Sequence, residues 1–527
     1  MSTLNALLDR SAQEGGEKAA VIFADRSVSF LELRREVLEI AEGLRRSGIL
    51  KGDRVAIVHR NAPEFIAAYF AINRLGAIAV PINFMVQKAD ELAYMLGDCG
   101  AKGVFTQNDF LPGLSAAAAK CPDLKALWVT DLTAPASSLI RPYADLRAAA
   151  FADASTDASL DTDVAAILYT SGTTGFPKGV MLTHRNLVSN AESALRRMAL
   201  DRSDVTLCIL PMFHSFAWTG IVLTSLRLTL TCVVFAAIAP AKPWLKAMGR
   251  RGVSLFAAVP QVYAALAREA KDWKTRAFLR YWAFRRVKIA VSGAAPLAVV
   301  VAEAFQDAIG CEIVEGWGLT ETSPVATISA PGKVRLGAVG TPIDGVRVKI
   351  VDDAEKDMPQ GSEGEIVVQG DCVMKGYWNK PEATRDTFTA DGWLKTGDIG
   401  VVDADGYLSI RDRKKDMIIV KGLKVFSAQV EAVIAENPAV EESAIIGIPD
   451  EVGDEIIKAF VVVKKGCVLE KSALIQYFKD RLDAYKRPRD VEIVESLPKN
   501  ALQKVLKRDL RERELKKRAS APSGAKS

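Results

Sequence analysis

Hydrophobic residues recur with two periods along this chain, and the switch between them divides it. Val55-Ala56-Ile57-Val58 is a short apolar run of the buried-strand kind, and Phe65, Tyr69 and Ile72 then repeat at helical spacing. Asn61 with Glu64 has the form of a capping pair opening that helix. This alternation continues to about residue 300 and predicts α/β layers with largely parallel sheets. From Gly337 to Ile410 the period shortens. Val346-Arg347-Val348-Lys349-Ile350 alternates strictly, and Gly364-Glu365-Ile366-Val367-Val368 follows a Pro/Gly turn, so a β-rich subdomain is expected over about 337–410. The charged stretch Arg411-Asp412-Arg413-Lys414-Lys415-Asp416 interrupts the apolar pattern and reads as a linker. Beyond it an α+β pattern runs to about Leu510, with a helix over 429–436 and strands over 443–448 and 456–463.

A chain of 527 residues is too long for one core, so two or more domains are expected. Its 49% hydrophobic and 25% charged residues are ordinary for a globular protein. A net charge of +5 is slight for this size and gives nucleic-acid binding no support. The seven cysteines are scattered without a C-x-x-C pair, which fits a reducing, cytoplasmic setting and argues against structural zinc or a disulfide frame. The N-terminus lacks a basic region ahead of an apolar core, so no secretory signal is expected. The most apolar stretch, 217–240, carries Arg227 in its middle and reads as core helix and strand rather than a membrane span.

The segment Tyr169-Thr-Ser-Gly-Thr-Thr-Gly-Phe-Pro-Lys-Gly-Val180 is the chemically densest. A strand-like run, 164–168, feeds it, and 179–182 reads as a second strand leaving it. Three glycines let backbone N–H groups close on an anion, four hydroxyls can donate to phosphate oxygens, and Lys178 adds charge. It is not a Walker A loop, which needs G-K-[ST] running into a helix. By itself such a loop is equally a flexible hydroxyl-rich turn. Further along, Gly316-Trp-Gly-Leu-Thr-Glu-Thr-Ser-Pro324 sets Trp317 between two glycines, where its ring can face a purine, and supplies Glu321 as a hard oxygen ligand for Mg²⁺. Gly392-Trp-Leu-Lys-Thr-Gly-Asp-Ile-Gly400 offers Asp398, a carboxylate able to accept from both ribose hydroxyls, although a lone Asp in such a turn is usually an Asx turn. Pro211-Met-Phe-His-Ser-Phe-Ala-Trp218 offers His214, of a type that titrates near neutral pH but more often packs than reacts on an apolar segment.

Together these strings, with Val291-Ser-Gly-Ala-Ala-Pro-Leu297 and Leu497-Pro-Lys-Asn-Ala-Leu-Gln-Lys-Val-Leu-Lys-Arg-Asp-Leu510, resemble the ordered motifs of the adenylate-forming (AMP-binding) enzymes. The resemblance spans about Lys18 to Leu510. The strings VMKGYWNKPEAT and DRKKDMIIVKGLKVF are similar to those of bacterial long-chain fatty-acid–CoA ligases. It implies that Thr170, Ser171, Gly172, Thr173, Thr174, Gly175 and Lys178 hold nucleotide phosphates. Gly293, Ala294, Ala295, Glu315, Gly316, Trp317, Gly318 and Thr320 would form the adenine side, and Asp398 with Arg413 would hold the ribose. Thr170 and Glu321 would carry Mg²⁺. His214, Gly293 and Trp218 would border the acyl site, with Trp218 lining or gating its tunnel. Lys421 and Gly422 would meet the pantetheine arm of CoA, Lys415 would be the hinge, and Lys504, with His214 and Glu321, would be catalytic. Departures are Trp317 for tyrosine, Ala294 and Gln503 for glycine, Phe426-Ser427 for Tyr-Pro and Gln429 for Glu.

The implied architecture is a large α/β N-terminal domain over 1–411, a hinge linker over 412–416, a small mobile α+β lid over 417–510 and a basic tail over 511–527, disordered at its end. The implied reaction joins a carboxylic acid to AMP from ATP and then to CoA. Two unit charges 4 Å apart repel by about 4 kcal/mol at an effective dielectric near 20, so cations and aligned donors must neutralise acid and nucleotide. The leading substrate is a medium- or long-chain fatty acid. An aryl or alicyclic acid, or a carrier protein as acceptor, are the alternatives; a P-loop NTPase and a non-enzymatic lipid binder fit the motifs less well. Peripheral membrane contact by the basic tail and a homodimer stay open, with the cytoplasm the expected location.

Overall fold

The computed structural model describes residues 3–133, 135–147, 159–170, 177–420, 423–450, 455–499 and 504–519. The chain divides into two compact units: Met1–Leu297, Val301–Val348 and Val368–Leu394 form one; Ala298–Val300, Lys349–Val367 and Lys395–Ser527 form the other.

The first unit is built on two large sheets. In one, strands Val164–Thr170, Ile78–Pro81, Arg54–Val58, Ala101–Thr106, Ala126–Val129 and Ile140–Pro142 lie parallel in that order. Lys178–Thr183 and then Gly376–Tyr377 add antiparallel at its edge. In the other, Ile313–Trp317, Ile289–Ser292, Leu255–Ala258, Val205–Cys208, Thr231–Val234 and Ala19–Phe23 are parallel. Central strands of both sheets are buried on both faces, as parallel sheets between helical layers require. Helix Pro63–Arg74 is buried at every position except Glu64, so it is a core helix. The mixed α/β architecture with largely parallel sheets is therefore the observed one.

The capping pair expected at this helix is not formed. Ala62 is its N-cap and offers no side-chain bond. Asn61 instead donates from Nδ2 to the carbonyls of Leu210 and Phe235 and accepts from Met212 N at 2.7 Å, while Glu64 pairs with Arg26. A buried amide satisfied by a distant loop outweighs a local cap, because an unpaired polar group there costs about 1–3 kcal/mol.

In the second unit, strands Val440–Pro449, Glu455–Val463 and Asp490–Ile493 form a three-stranded sheet packed by helices Ser427–Ala435, Lys471–Arg481 and Lys507–Ala519. The four-stranded sheet runs in the order Val346–Val351, Gly364–Gly370, Leu394–Val402, Leu408–Arg413. Arg411-Asp412-Arg413, read from sequence as linker, thus finishes a strand, and only Lys414–Asp416 turn away. Residues 511–519, expected within a disordered tail, are helical. Their charge is partly spent on packing: Glu514 binds Lys458 at 2.7 Å with both side chains buried, and Arg513 binds Glu492 at 2.6 Å. Residues 520–527 lie outside the described residues.

Candidate active site

The hydroxyl-rich loop is carried by an antiparallel pair. Thr170 ends strand Val164–Thr170, Lys178 begins Lys178–Thr183, and the two are direct partners in the register. The Thr170 hydroxyl donates to the Lys178 carbonyl at 3.5 Å. Ser171, Gly172, Thr173, Thr174 and Gly175 lie outside the described residues. The strand end is anchored by Tyr169, which donates to Asp98 Oδ2 at 2.6 Å. Helix His184–Leu195 follows at once, opened by a capping box between Thr183 and Asn186.

Two amides on that helix organise the neighbouring motif. Asn186 donates to the carbonyls of Asp371 and Val373, and Asn190 donates to those of Thr322 and Val325 while accepting from Val325 N. Glu321, in the short turn Thr320–Thr322, is then held twice. Its carbonyl accepts from Met374 N, and its Oε1 accepts from the Tyr377 hydroxyl at 2.9 Å. The Lys178 ammonium lies over the Tyr377 ring, 4.9 Å from its centre. Burial and the Glu321 carboxylate raise the Tyr377 pKa, so it remains a donor at any physiological pH. Asn186, Asn190 and Tyr377 were missed as site residues from sequence; Tyr377 lies in a motif the resemblance rests on, but nothing there singled it out.

Strand Ile313–Trp317 carries the rest of this motif. Ser292 is paired with Glu315 across the sheet, which brings the Gly293–Ala295 loop beside Gly316. A Cβ on Gly293 would lie 3.4 Å from the Phe216 ring and 3.5 Å from the Gly316 carbonyl. Phe216 is a further site residue that sequence reasoning passed over. Gly318 is required by close approach, since a Cβ there would fall 1.8 Å from the Pro324 carbonyl. Ala294 adopts φ +68°, the left-handed region where glycine is at ease and alanine is strained. Trp317 is half-buried. Burial pushes the Glu315 carboxyl up to about 8.

His214 is the N-cap of the helical segment that follows it. Its Nδ1 accepts from Phe216 N at 3.2 Å, which leaves the ring proton on Nε2, and its carbonyl accepts from Trp218 N. The segment Trp218–Leu223 is a π-helix, a rare wide turn that is frequent at functional sites. The Trp218 ring is 2% exposed and stacks on Tyr69 at 3.9 Å, with Phe65 and Phe70 at its edges. Buried polar atoms gather here: Ser215 Oγ, Trp218 Nε1, Thr219 Oγ1 and Tyr69 Oη make no hydrogen bond among the described residues.

In the second unit, Asp398 and Arg413 are direct partners on adjacent antiparallel strands, with Nε 3.4 Å from Oδ1. Glu365 braces the pair by accepting from Gly397 N and Lys414 Nζ. Lys504 belongs to the same cluster. Burial first, then the charge of Arg413, lowers its ammonium pKa to about 8; Asp398 opposes this and Lys415 adds to it. Lys415 is lowered in the same direction by burial and Arg413. Lys421 and Gly422 lie outside the described residues.

A divalent cation fits the Thr170–Glu321 region in one way only. Among the described residues no group of three or more His, Cys, Asp or Glu can enclose a metal. One oriented carboxylate and a hydroxyl suit Mg²⁺, which keeps its waters and is completed by substrate phosphates, and would not retain an ion in a cage.

The model of the AMP-binding enzyme family matches residues 8–378, and that of the AMP-binding enzyme C-terminal domain matches residues 429–504. The long-chain-fatty-acid–CoA ligase of Bacillus subtilis is 32% identical, with 97% of this chain and 94% of that protein covered. A feruloyl-CoA synthase from an Amycolatopsis species is 34% identical over 96% and 97%. The crystal structure of ATP-bound MatB from Rhodopseudomonas palustris superimposes with a TM-score of 0.88 at 31% identity, covering 97% of this chain and 98% of that one. The chain therefore belongs to the AMP-binding enzyme family, the adenylate-forming acid–CoA ligases that work with ATP, Mg²⁺ and CoA.

Proposed function

We propose that this chain is a fatty acid–CoA ligase for medium- or long-chain acids. The observation that carries the acyl part is the surround of the His214–Leu223 segment. Phe216, Trp218, Ile221 and Val222 are buried there, and Phe65, Tyr69 and Phe70 wall the Trp218 ring. Apolar surroundings of this kind suit an alkyl chain. The π-turn and the unpaired Trp218 Nε1 leave the ring seated by shape alone, which is what a gate needs.

In the first step a carboxylate oxygen bonds to the α-phosphorus of ATP, and the bond from that phosphorus to the bridging oxygen breaks, so that pyrophosphate leaves. Lys178 and the hydroxyl loop bind phosphate oxygens, Tyr377 fixes the Glu321 carboxylate, and Asp398 with Arg413 orients the ribose. Glu321 and the Thr170 hydroxyl would hold Mg²⁺, which would supply neutralisation of phosphate charge. Lys504 supplies the last positive charge at the reacting oxygens. In the second step the CoA sulfur bonds to the acyl carbon and gives up its thiol proton to solvent, the bond from that carbon to the phosphate oxygen breaks, and AMP leaves with that oxygen. Lys504 would obstruct that approach, so rotation of the C-terminal part about Lys415 exchanges it for Lys421 and Gly422.

An aromatic acid is the second reading, because the Phe216 ring lies beside Gly293 and could stack on an aryl group there. Pyrophosphate release measured over alkanoic acids of graded length and over cinnamic- and benzoic-type acids, with and without CoA, separates the two. Higher kcat/KM for an aryl acid than for every alkanoic acid would reject the fatty-acid reading.

A further inference from the structure

Positive charge is concentrated in one exposed stretch of the chain that the reaction does not use. Between residues 241 and 288 there are twelve Lys and Arg against two Asp and Glu. All twelve basic side chains are solvent-exposed. The whole chain carries only +5, so the remainder is net acidic. The concentration is thus a local feature of the surface.

The same surface exposes large aromatics. Trp273 is 71% exposed, Tyr281 72% and Trp282 41%, values at odds with burial of such rings in a folded core. Each carries a cation: Lys274 over Trp273, Arg280 over Tyr281 and Arg285 over Trp282. The elements are joined. Trp282 lies directly on Gly249 of helix Ala241–Arg251, where a Cβ would meet its indole nitrogen at 2.3 Å, and Arg285 donates to the Gly249 carbonyl. Beyond that helix lies a cleft with Ile22 and Phe235 among its apolar lining, Lys246, Arg250 and Arg251 on its rim, and Asp25 as a lone acid. Lys288, at the end of this stretch, is ion-paired to Asp201 and Asp204.

We propose that helix Ala241–Arg251 and the segment 271–288 form a docking surface for anionic phospholipid bilayers. Interfacial Trp and Tyr with flanking Lys and Arg are the pairing that headgroup layers select: the rings enter the boundary region while the cations meet lipid phosphates. A charge-only surface would suit nucleic acid, but three protruding rings flanked by aliphatic Lys and Arg stems suit lipid better. The basic C-terminal helix is the weaker site, since Arg513 and Lys517 are already engaged with Glu492 and Arg511 with the Gly447 carbonyl. The proposal does not depend on which acid is activated.

Vesicle co-sedimentation of the full chain tests it. Partition onto equimolar phosphatidylcholine/phosphatidylglycerol vesicles at low salt should exceed that onto pure phosphatidylcholine by at least about tenfold and fall at high salt. Trp273→Ala with Tyr281→Ala, and separately Lys274→Glu with Arg280→Glu, should each lower it by about tenfold. All four side chains are exposed, so kcat/KM for a short soluble acid should not change. Lys516→Gln with Lys517→Gln should bind as the parent. Unaltered binding by both patch variants, loss confined to the Lys516/Lys517 variant, or retention of duplex DNA but not vesicles would each overturn the proposal.

Discussion

Asp398 and Arg413 face one another across adjacent antiparallel strands, the carboxylate 6% exposed and the guanidinium 37%. The sheet register, more than the side chains, holds them 3.4 Å apart. Because Asp398 is nearly buried, removing its charge leaves Arg413 repelling Lys415 and Lys504 with Asp416 as the remaining opposing carboxylate. Asp398→Asn should raise the KM for ATP at least about tenfold, equal to about 1.4 kcal/mol, and lower kcat in pyrophosphate exchange. An unchanged KM for ATP would remove Asp398 from the ribose site.

Lys504 gives a pH signature. Its folded pKa of about 8 lies below its ordinary 10.5, so folding disfavours the charged form and the ammonium is lost as pH rises through about 8. In the proposed first step, adenylation draws on that charge. The profile of kcat/KM for pyrophosphate release should fall on its alkaline side near pH 8, and Lys504→Arg should move that limb upward. Lys504→Ala should nearly abolish adenylate formation yet keep thiol transfer from supplied acyl-adenylate. Equal loss of both half-reactions would reject the assignment.

Three residues beyond Lys504, the half-buried Lys507 sits between Glu431 and Ser427, each at 2.7 Å, and Ser427 donates to Asp412 at 2.8 Å. This network ties the Lys504 segment to the residue preceding Arg413. Lys507→Met strips Glu431 of its cation. Burial already raises the Glu431 pKa despite Lys507, and the variant raises it further. The loss in stability should be about 1–3 kcal/mol at pH 8 and smaller near pH 5, where Glu431 can take up a proton. Denaturant unfolding at the two pH values measures it, and a penalty that grows on acidification would contradict the network.

Tyr377 should matter to the cation site without being needed for the fold. Tyr377→Phe removes one hydrogen bond to a carboxylate, worth about 1.5–3 kcal/mol, and lets Glu321 reorient. The Mg²⁺ concentration for half-maximal activity should rise by about tenfold, with a melting temperature within a few degrees of the parent.

Ala294 holds a left-handed backbone angle that costs a non-glycine residue about 1–2 kcal/mol. Ala294→Gly removes this strain but adds about 0.5–1 kcal/mol of chain entropy. Thermal unfolding should show a small gain, under about 1 kcal/mol, whereas Ala294→Val should destabilise.

What the sequence by itself determined was the local chemistry. The strand–loop–strand carrying Thr170 and Lys178, the α/β rhythm of the first 300 residues and the strands after residue 440 were legible because periodicity and glycine placement act over a few neighbours. The tertiary structure decided what each polar group does. Asn61 has the form of a cap but satisfies a loop near residue 210, the charged stretch Arg411–Asp416 is half strand, and the basic tail is helical to Ala519, where Glu514 meets buried Lys458. Tyr377, Asn186 and Phe216 joined the site only when distant segments met. Hydrogen bonds and ion pairs between residues far apart in the chain leave no periodic trace, so burial and partner geometry, absent from any local pattern, select among the many roles one side chain can play.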